Sequence, residues 1–462
     1  FGLSPAADAS YNDKNEVWST KMDKPAKTTI HMIGNAHIDP VWLWKYSAGV
    51  NEALATCCTA MNLLDEFPDF IFTRADTWVH EQVEKYDPVL FGRIRHAVAD
   101  GRWEPAGGWY VQPDCNFPTE NAFQAQMRVG SRYLKERFNT RVTTGFNVDS
   151  FGHTAFLPRF LRNAGFDSYI FMRPMNGEHV LPAELFNWTS PDGFDVLTWR
   201  IQSGYNGQNI EALEKNIAAS LKAEVSGIPH VLCFYGVGDH GGGPTRKLIE
   251  WIIENRDTFP SAKLQFSSPS RFFRAVRSCT GVGKLPTITE ELQYHAIGCY
   301  SVLGSFKRKV RRVEMRVIEA EDCLHSFGSP DSISEDEDDS LWKQVLLNHF
   351  HDTIGGTCIP EAYDDASEQI GASASRAEEI ISSCCYNHLI STGDDKLQRI
   401  ALFNPTDKAF RGPVSHEPWL EWKSFSGTMI GPDGNTRPYQ KYQQPALLGE
   451  KRQLTWIAEI PP

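Results

Sequence analysis

The sequence predicts three fold types in succession: α/β, then all-α, then all-β. Three observations carry that reading. From about residue 28 to 280, short apolar runs alternate with amphipathic stretches, which implies a parallel sheet covered by helices, open or closed into a barrel. From Val310 onward, apolar residues recur every three or four positions, the spacing of a packed helix face. After about Leu397 the chain turns rich in Pro, Gly and alternating residues, as β domains do. A length of 462 residues also exceeds what one ordinary core accommodates.

Seven segments read as strands: 30–34, 70–74, 103–107, 143–148, 168–172, 196–201 and 230–235. Segments 122–138 and 245–255 read as helices between them. The first bundle helix carries Val310, Val313, Val317, Ala320, Cys323/Leu324 and Phe327 on one face and ends at Gly328 and Pro330. The run "SEDEDDS" (334–340) is expected to be a solvated loop, with the next helix beginning near Leu341, where the acids suit its dipole. A third helix is expected over 360–387. The resulting division is an extension at 1–27, an α/β domain at 28–285, a three-helix bundle at 286–392 and a β domain at 393–462 that stops early.

Composition narrows the function classes. A formal net charge of −12 argues against nucleic acid or an anionic membrane as partner, since both reward excess Lys and Arg. Hydrophobic and charged contents of 41% and 23% are those of a globular chain. The 13 Trp, 14 Tyr and 27 Phe suit large cores, and also the flat faces on which sugars stack. No apolar run reaches the roughly 18 residues of a membrane span. The ten cysteines include the adjacent pairs Cys57-Cys58 and Cys384-Cys385 but no CxxC, so free buried thiols are expected rather than a disulfide framework. That favours a reducing, cytoplasmic compartment, with the sequon Asn187-Trp188-Thr189 taken as fortuitous. The chain starts at Phe1, so its true N-terminus is expected to be missing, and a vacuolar, lysosomal or secreted destination stays open.

Four stretches hold the chemistry. In "GNAHIDPVWLW" (34–44), His37 and Asp39 are alternate residues just past an apolar strand, so both can point to one side and converge on an ion. A turn with aromatic packing is the plainer reading. In "NVDSFGH" (147–153), Asp149 stands at the C-terminal end of a strand, where functional groups gather in parallel α/β domains. In "NHFHDTIGGT" (348–357), the histidines read either as helix-end residues before the stop at Gly355 and Gly356 or as ligands. In "YGVGDHGGGPTR" (235–246), five glycines around Asp239 and His240 allow close backbone approach by a ligand, and the missing GK[ST] ending discounts a phosphate loop. His37, Asp39, Asp149 and His351 together make a two-His, two-carboxylate set that suits Zn2+ with one position left for a substrate oxygen. Asp149 and Asp239 make a carboxylate pair of the kind glycoside hydrolysis requires. Trp42, Trp44, Trp109 and Tyr110 are candidate walls of a sugar pocket, each also a candidate for the core.

With "GGWYVQPD" (107–114), "FMRP" (171–174) and "ELQYHAIGCYS" (291–301), these stretches occur in the order seen in α-mannosidases of glycoside hydrolase family 38, which the chain resembles over about residues 28–360. The resemblance implies a (β/α)7-type barrel, a three-helix bundle and the start of a β-sandwich. It implies one Zn2+ per chain on His37, Asp39, Asp149 and His351, with Asp149 also the nucleophile and Asp239 the candidate acid/base. It places Trp42, Trp109, Asp114, Arg173, His240, His295 and Asp352 near the sugar, and leaves Trp44 out. The implied activity is retaining hydrolysis of terminal α-linked mannose from oligosaccharides or N-glycan-derived mannans through a mannosyl-Asp intermediate. Two alternatives stay open: a hydrolase of mannosylated small solutes in the same family, and a zinc-dependent carbohydrate deacetylase. The chain is shorter than the family's usual length, so a homo-oligomer or association with a C-terminal remainder is compatible with it.

Overall fold

The computed structural model describes residues 27–238, 241–327, 335–389, 398–417, 427–443 and 452–462. Strand β1 (Thr28–Asn35) is buried at every position, as its run of β-branched and apolar residues requires. It is the centre of a five-stranded parallel sheet with β2 (Phe72–Arg74), β3 (Trp103–Pro105), β8 (His230–Tyr235) and β9 (Ala262–Phe266). One edge of β1 pairs with β8 from Thr29 to Gly34. The other pairs with β9 along its first half and with β2 at Gly34 and Asn35. A second five-stranded sheet runs in the order β10-β6-β7-β5-β4, from β4 (Thr144–Asn147), β5 (Ser168–Phe171), β6 (Leu185–Thr189), β7 (Asp195–Arg200) and β10 (Thr287–Ile288).

All seven expected strands are present: β8 has the expected bounds, β1 is longer at both ends, β7 starts and ends one residue earlier, and the other four are shorter by one or two residues. Three others escaped the sequence reading. The wholly parallel sheet expected for the α/β region is corrected by β6 and β7, which pair antiparallel. Their turn is Ser190-Pro191-Asp192-Gly193, with Gly193 at φ +91° and the Gly193 amide donating to Ser190 O at 2.9 Å. Pro-Asp-Gly is a hairpin signal that lay unused in the sequence.

The helical region contains Gly304–Phe327, Glu335–Leu347 and Pro360–Tyr386, with a short helix at His351–Gly355. Val310, Val313, Val317, Ala320 and Cys323 are buried, as their spacing predicts. The expected loop at 334–340 is corrected: Glu335 opens the second helix, since acids are tolerated in a first turn by the helix dipole. Asp339, in that stretch, is buried and paired with Arg132 of the helix Glu120–Phe138 at 2.6 Å. A second tie lies at the N-cap of that helix, where the buried Glu314 carboxylate accepts from the Thr119 amide at 2.7 Å. One continuous core therefore runs from β1 into the helical region.

The C-terminal residues form β11 (Phe410–His416), β12 (Met429–Ile430), β13 (Thr436–Arg437), β14 (Gln440–Gln443) and β15 (Arg452–Ile460). They pair as an antiparallel sheet β11-β15-β14 and a separate hairpin β12-β13. All ten cysteines are free, five of them buried. Among the described residues, no helix is long and apolar enough to cross a membrane.

Several histidines are locked inside as neutral rings, His349 among them at about 4. Burial is the main cause for His31, His80 and His153, and each is lowered to about 3. Their unfolded value is near 6.5, so between pH 6.5 and 3 the unfolded chain binds protons that the native chain refuses. Stability is therefore expected to fall with pH across that window, by up to about 1.4 kcal/mol per pH unit for each histidine. Urea midpoints at pH 7 and pH 5 check this, and equal midpoints would contradict it.

Candidate active site

The loops that leave β1, β2, β3, β4, β5 and β7 supply His37 and Asp39, Asp76, Gln112, Asp149, Arg173 and Tyr205 respectively. All come from the C-terminal ends of strands, where backbone amides and loop side chains are free to face a ligand. His351 arrives from the short helix His351–Gly355, which Gly356 ends in a left-handed conformation at φ +87°. A backbone bridge from Pro113 to Phe350, and the Asp114 amide donating to His349 O at 2.8 Å, hold that helix against the β3 loop.

Two triplets of ligand atoms, each within 4.8 Å, share His351: His37 with Asp149 and His351, and Asp39 with His351 and Asp352. Nε2 of His37 lies 2.7 Å from Oδ1 of Asp39 and 3.8 Å from Oδ2 of Asp149. Yet His37 Nε2, Asp39 Oδ1 and His351 Nε2 are all buried atoms without a hydrogen-bond partner. His37 Nε2 and Asp39 Oδ1 stand as close as an ion pair, with His351 Nε2 buried in the same cluster, so a cation could take the place of the proton between them. The electrostatics agree. Burial opposes charge on His37, but the carboxylates of Asp39, Asp149 and Asp76 outweigh it and raise the ring to about 9. A site that draws a proton so strongly has an unmet need for positive charge, and two imidazoles with carboxylates are a donor set suited to zinc.

Asp149 is held as a carboxylate. Burial favours its neutral form, but His37, Arg173 and His351 overcome that and bring it to about 2. Arg173 grips Oδ1 through Nε at 2.9 Å and Nη2 at 2.8 Å, and the Tyr205 hydroxyl donates to Oδ2 at 3.2 Å. Nη1 of Arg173 meets Nε2 of His295 at 3.0 Å, and His295 Nδ1 bonds Glu178. Burial lifts the neighbouring Asp352 carboxyl above the ordinary range; Thr357 donates to its Oδ1, and its Oδ2 lies 3.7 Å from His351 Nε2.

Trp42 is half-buried and stands edge-on to Trp44, ring centres 5.8 Å apart. Trp44 donates its indole N–H to the Asp39 carbonyl at 3.1 Å, so it braces the loop. Two expected sugar contacts are buried in this structure. Trp109 is fully buried between Phe123 and Phe166, where an indole beyond a strand end has turned into the core. Asp114 is also buried. Its carboxylate accepts from the Asn116 and Phe117 amides and from the Tyr300 hydroxyl at 2.7 Å, so it shapes its own loop. Asp239 and His240 lie outside the described residues. The loop around them leaves β8 beside the end of β1: Gly236 has φ +142°, and a Cβ there would stand 2.2 Å from Asn35 O. Sequence reasoning missed Asp76, Gln112, Glu178, Tyr205 and also Phe151, whose ring stands edge-on to His295 and His351 with centres 5.8 Å apart in each case. Gln112 and Phe151 sat inside quoted motifs, but single polar or aromatic residues carry no spacing signal.

Comparison with known proteins agrees with this geometry. Residues 27–292 match the model of the glycosyl hydrolases family 38 N-terminal domain, and residues 293–387 match the alpha mannosidase middle domain. The chain is 30% identical to alpha-mannosidase G of Dictyostelium discoideum over 362 residues, 76% of this chain and 32% of that protein. It is 29% identical to human alpha-mannosidase 2C1 over 352 residues, 73% of this chain and 33% of that protein. It thus spans about a third of the length of these relatives. A crystal structure of an alpha-mannosidase from Enterococcus faecalis V583 shares the fold, with a TM-score of 0.76 and 17% identity over 94% of this chain and 55% of that one. The chain belongs to glycosyl hydrolase family 38, through both its N-terminal and its middle domain.

Proposed function

We propose that this chain carries the active site of a zinc-dependent, retaining exo-α-mannosidase acting on terminal α-linked mannose of oligosaccharides. The observation that carries the reading is an ionised Asp149, clamped by Arg173, beside partnerless Nε2 and Oδ1 atoms of His37, Asp39 and His351. His37, Asp39, Asp149 and His351 would hold one zinc ion, with Asp352 against it. When bound, the metal supplies positive charge that orients vicinal hydroxyls of the sugar. On the same reading the two sheets are the halves of a (β/α)7-type barrel, and the C-terminal strands begin a β-sandwich.

The chain's own residues supply the remaining steps. Asp149 attacks the anomeric carbon and forms a mannosyl ester as the glycosidic bond breaks. A carboxylic acid on the opposite side gives its proton to the departing oxygen, then takes one from the water that cleaves the ester. Two displacements retain the anomeric configuration. Arg173 keeps Asp149 ionised and aimed, while Trp42 offers an apolar wall.

The candidate acid is Asp239. Its loop is closed on either side of the undescribed residues by the Val237 amide on Gly243 O at 3.0 Å and the Gly238 amide on Gly242 O at 2.9 Å. Asp239→Ala is expected to slow hydrolysis of mannobioses by about 10²–10⁴-fold and to slow aryl mannosides with good leaving groups much less. Equal slowing of both would count against Asp239. The overall reading is tested by assaying an aryl α-mannoside and α-linked mannobioses with and without a chelator. Release of mannose that stops on chelation is expected. Release of acetate from acetylated sugars instead, or turnover indifferent to chelation, would overturn it.

A further inference from the structure

Gln112 is fully buried in the loop after β3, and each of its acceptors and donors goes to a different part of the site. Its side-chain Oε1 accepts from the Val148 amide at 2.9 Å, the peptide that leads into Asp149. Its Nε2 donates to Asp76 Oδ2 at 3.1 Å and stands 3.1 Å from Nδ1 of His37. Its main-chain carbonyl meets Nδ1 of His351 at 2.9 Å. A backbone amide only donates and a carboxylate only accepts, so the Gln112 amide is pinned in one orientation, which makes His37 Nδ1 an acceptor and puts the proton of the neutral His37 ring on Nε2, 2.7 Å from Asp39 Oδ1, where a bound cation would take that proton's place. A carbonyl only accepts, so His351 carries its proton on Nδ1 and leaves Nε2 free to face the cation site.

The arrangement is braced from behind. Asp76 sits at φ +67°, a conformation that a non-glycine residue keeps only when its surroundings hold it. Nη1 of Arg74 lies 3.4 Å from Asp76 Oδ2 and donates to Ala36 O at 2.7 Å. Ala36 precedes His37, so both the ring and the backbone of that residue are tethered to one buried network. His37, Asp149 and His351 come from a β1 end, a β4 end and a helix in another domain, and no element joins them directly. We propose that Gln112 is the positioning residue that sets the spacing of these three ligands, and that its side chain thereby controls metal affinity.

This inference rests on the zinc reading above, and its test separates the two. Gln112→Met keeps the length of the side chain and removes its hydrogen bonds; Gln112→Leu is a second, more compact replacement. In chelator competition at fixed pH, both are expected to weaken zinc binding by about ten- to a hundredfold. The visible absorption of the cobalt-loaded protein should shift, and the gap in melting temperature between metal-loaded and metal-free protein should narrow. A purely structural role would lower both melting temperatures together and leave affinity and spectrum unchanged, which overturns the proposal. So would failure of both variants to fold. Wild-type protein that binds no metal would sink the zinc reading itself.

Discussion

Asp149→Ala is expected to abolish turnover, with a loss on the order of 10⁴-fold or more, because the variant has no atom that can form the mannosyl ester. The structure gives reasons beyond position. Held at about 2, the Asp149 carboxylate is ionised throughout the working range, so it is an available nucleophile rather than a waiting acid. Arg173 and Tyr205 engage its two oxygens separately, which fixes the carboxylate plane. A residue that only held the metal would not need both oxygens oriented in this way. Since Asp149 is also a proposed ligand, Asp149→Asn is the sharper variant: it keeps an oxygen donor and loses the nucleophile. Rate and metal content are measured on the same preparation. Substantial mannosidase activity in a fully metal-loaded Asp149→Asn protein would refute the assignment.

The parts of this fold legible in the sequence were those in which one short-range pattern decides the outcome. β1 and β8 are buried along nearly their whole length, so they read as largely apolar runs. The face of Gly304–Phe327 repeats at helical spacing. The misses have physical causes. β9 alternates buried and exposed residues over only five positions, too short to stand out. The acidic opening of Glu335–Leu347 looks like a solvated loop unless Arg132 is known to wait opposite Asp339. Within the site, His37, Asp39, Asp149 and His351 were legible because they sit in motifs whose order along the chain is itself a signal. Trp109 shows the limit of such a signal, since an indole past a strand end reads the same whether it faces a sugar or packs on Phe166, as it does here. Gln112 and Asp76 matter through long-range contacts, of which a linear sequence holds no trace.

His351→Ala is expected to empty the metal site while leaving the two domains docked. The docking does not depend on the imidazole. The Pro113–Phe350 bridge and the bond from the Asp114 amide to His349 O are made by backbone, and the Arg132–Asp339 and Thr119–Glu314 contacts lie elsewhere. The proposed metal site does depend on it, because His351 is the one residue common to both triplets of candidate ligands. Without it, each triplet falls to two donors and the proposed set of four keeps a single imidazole beside two carboxylates. Metal content by elemental analysis should drop from about one zinc per chain to near zero after dialysis, and mannoside turnover should fall with it. The variant should also lose the stabilisation that ligand binding confers, about 4 kcal/mol when free zinc exceeds its dissociation constant a thousandfold. Its melting temperature should therefore match that of chelated wild type and should not respond to added zinc. Full zinc occupancy in the variant would remove His351 from the ligand set. A melting temperature well below that of chelated wild type would mean that the ring also holds the domain interface, through its bond to the Gln112 carbonyl.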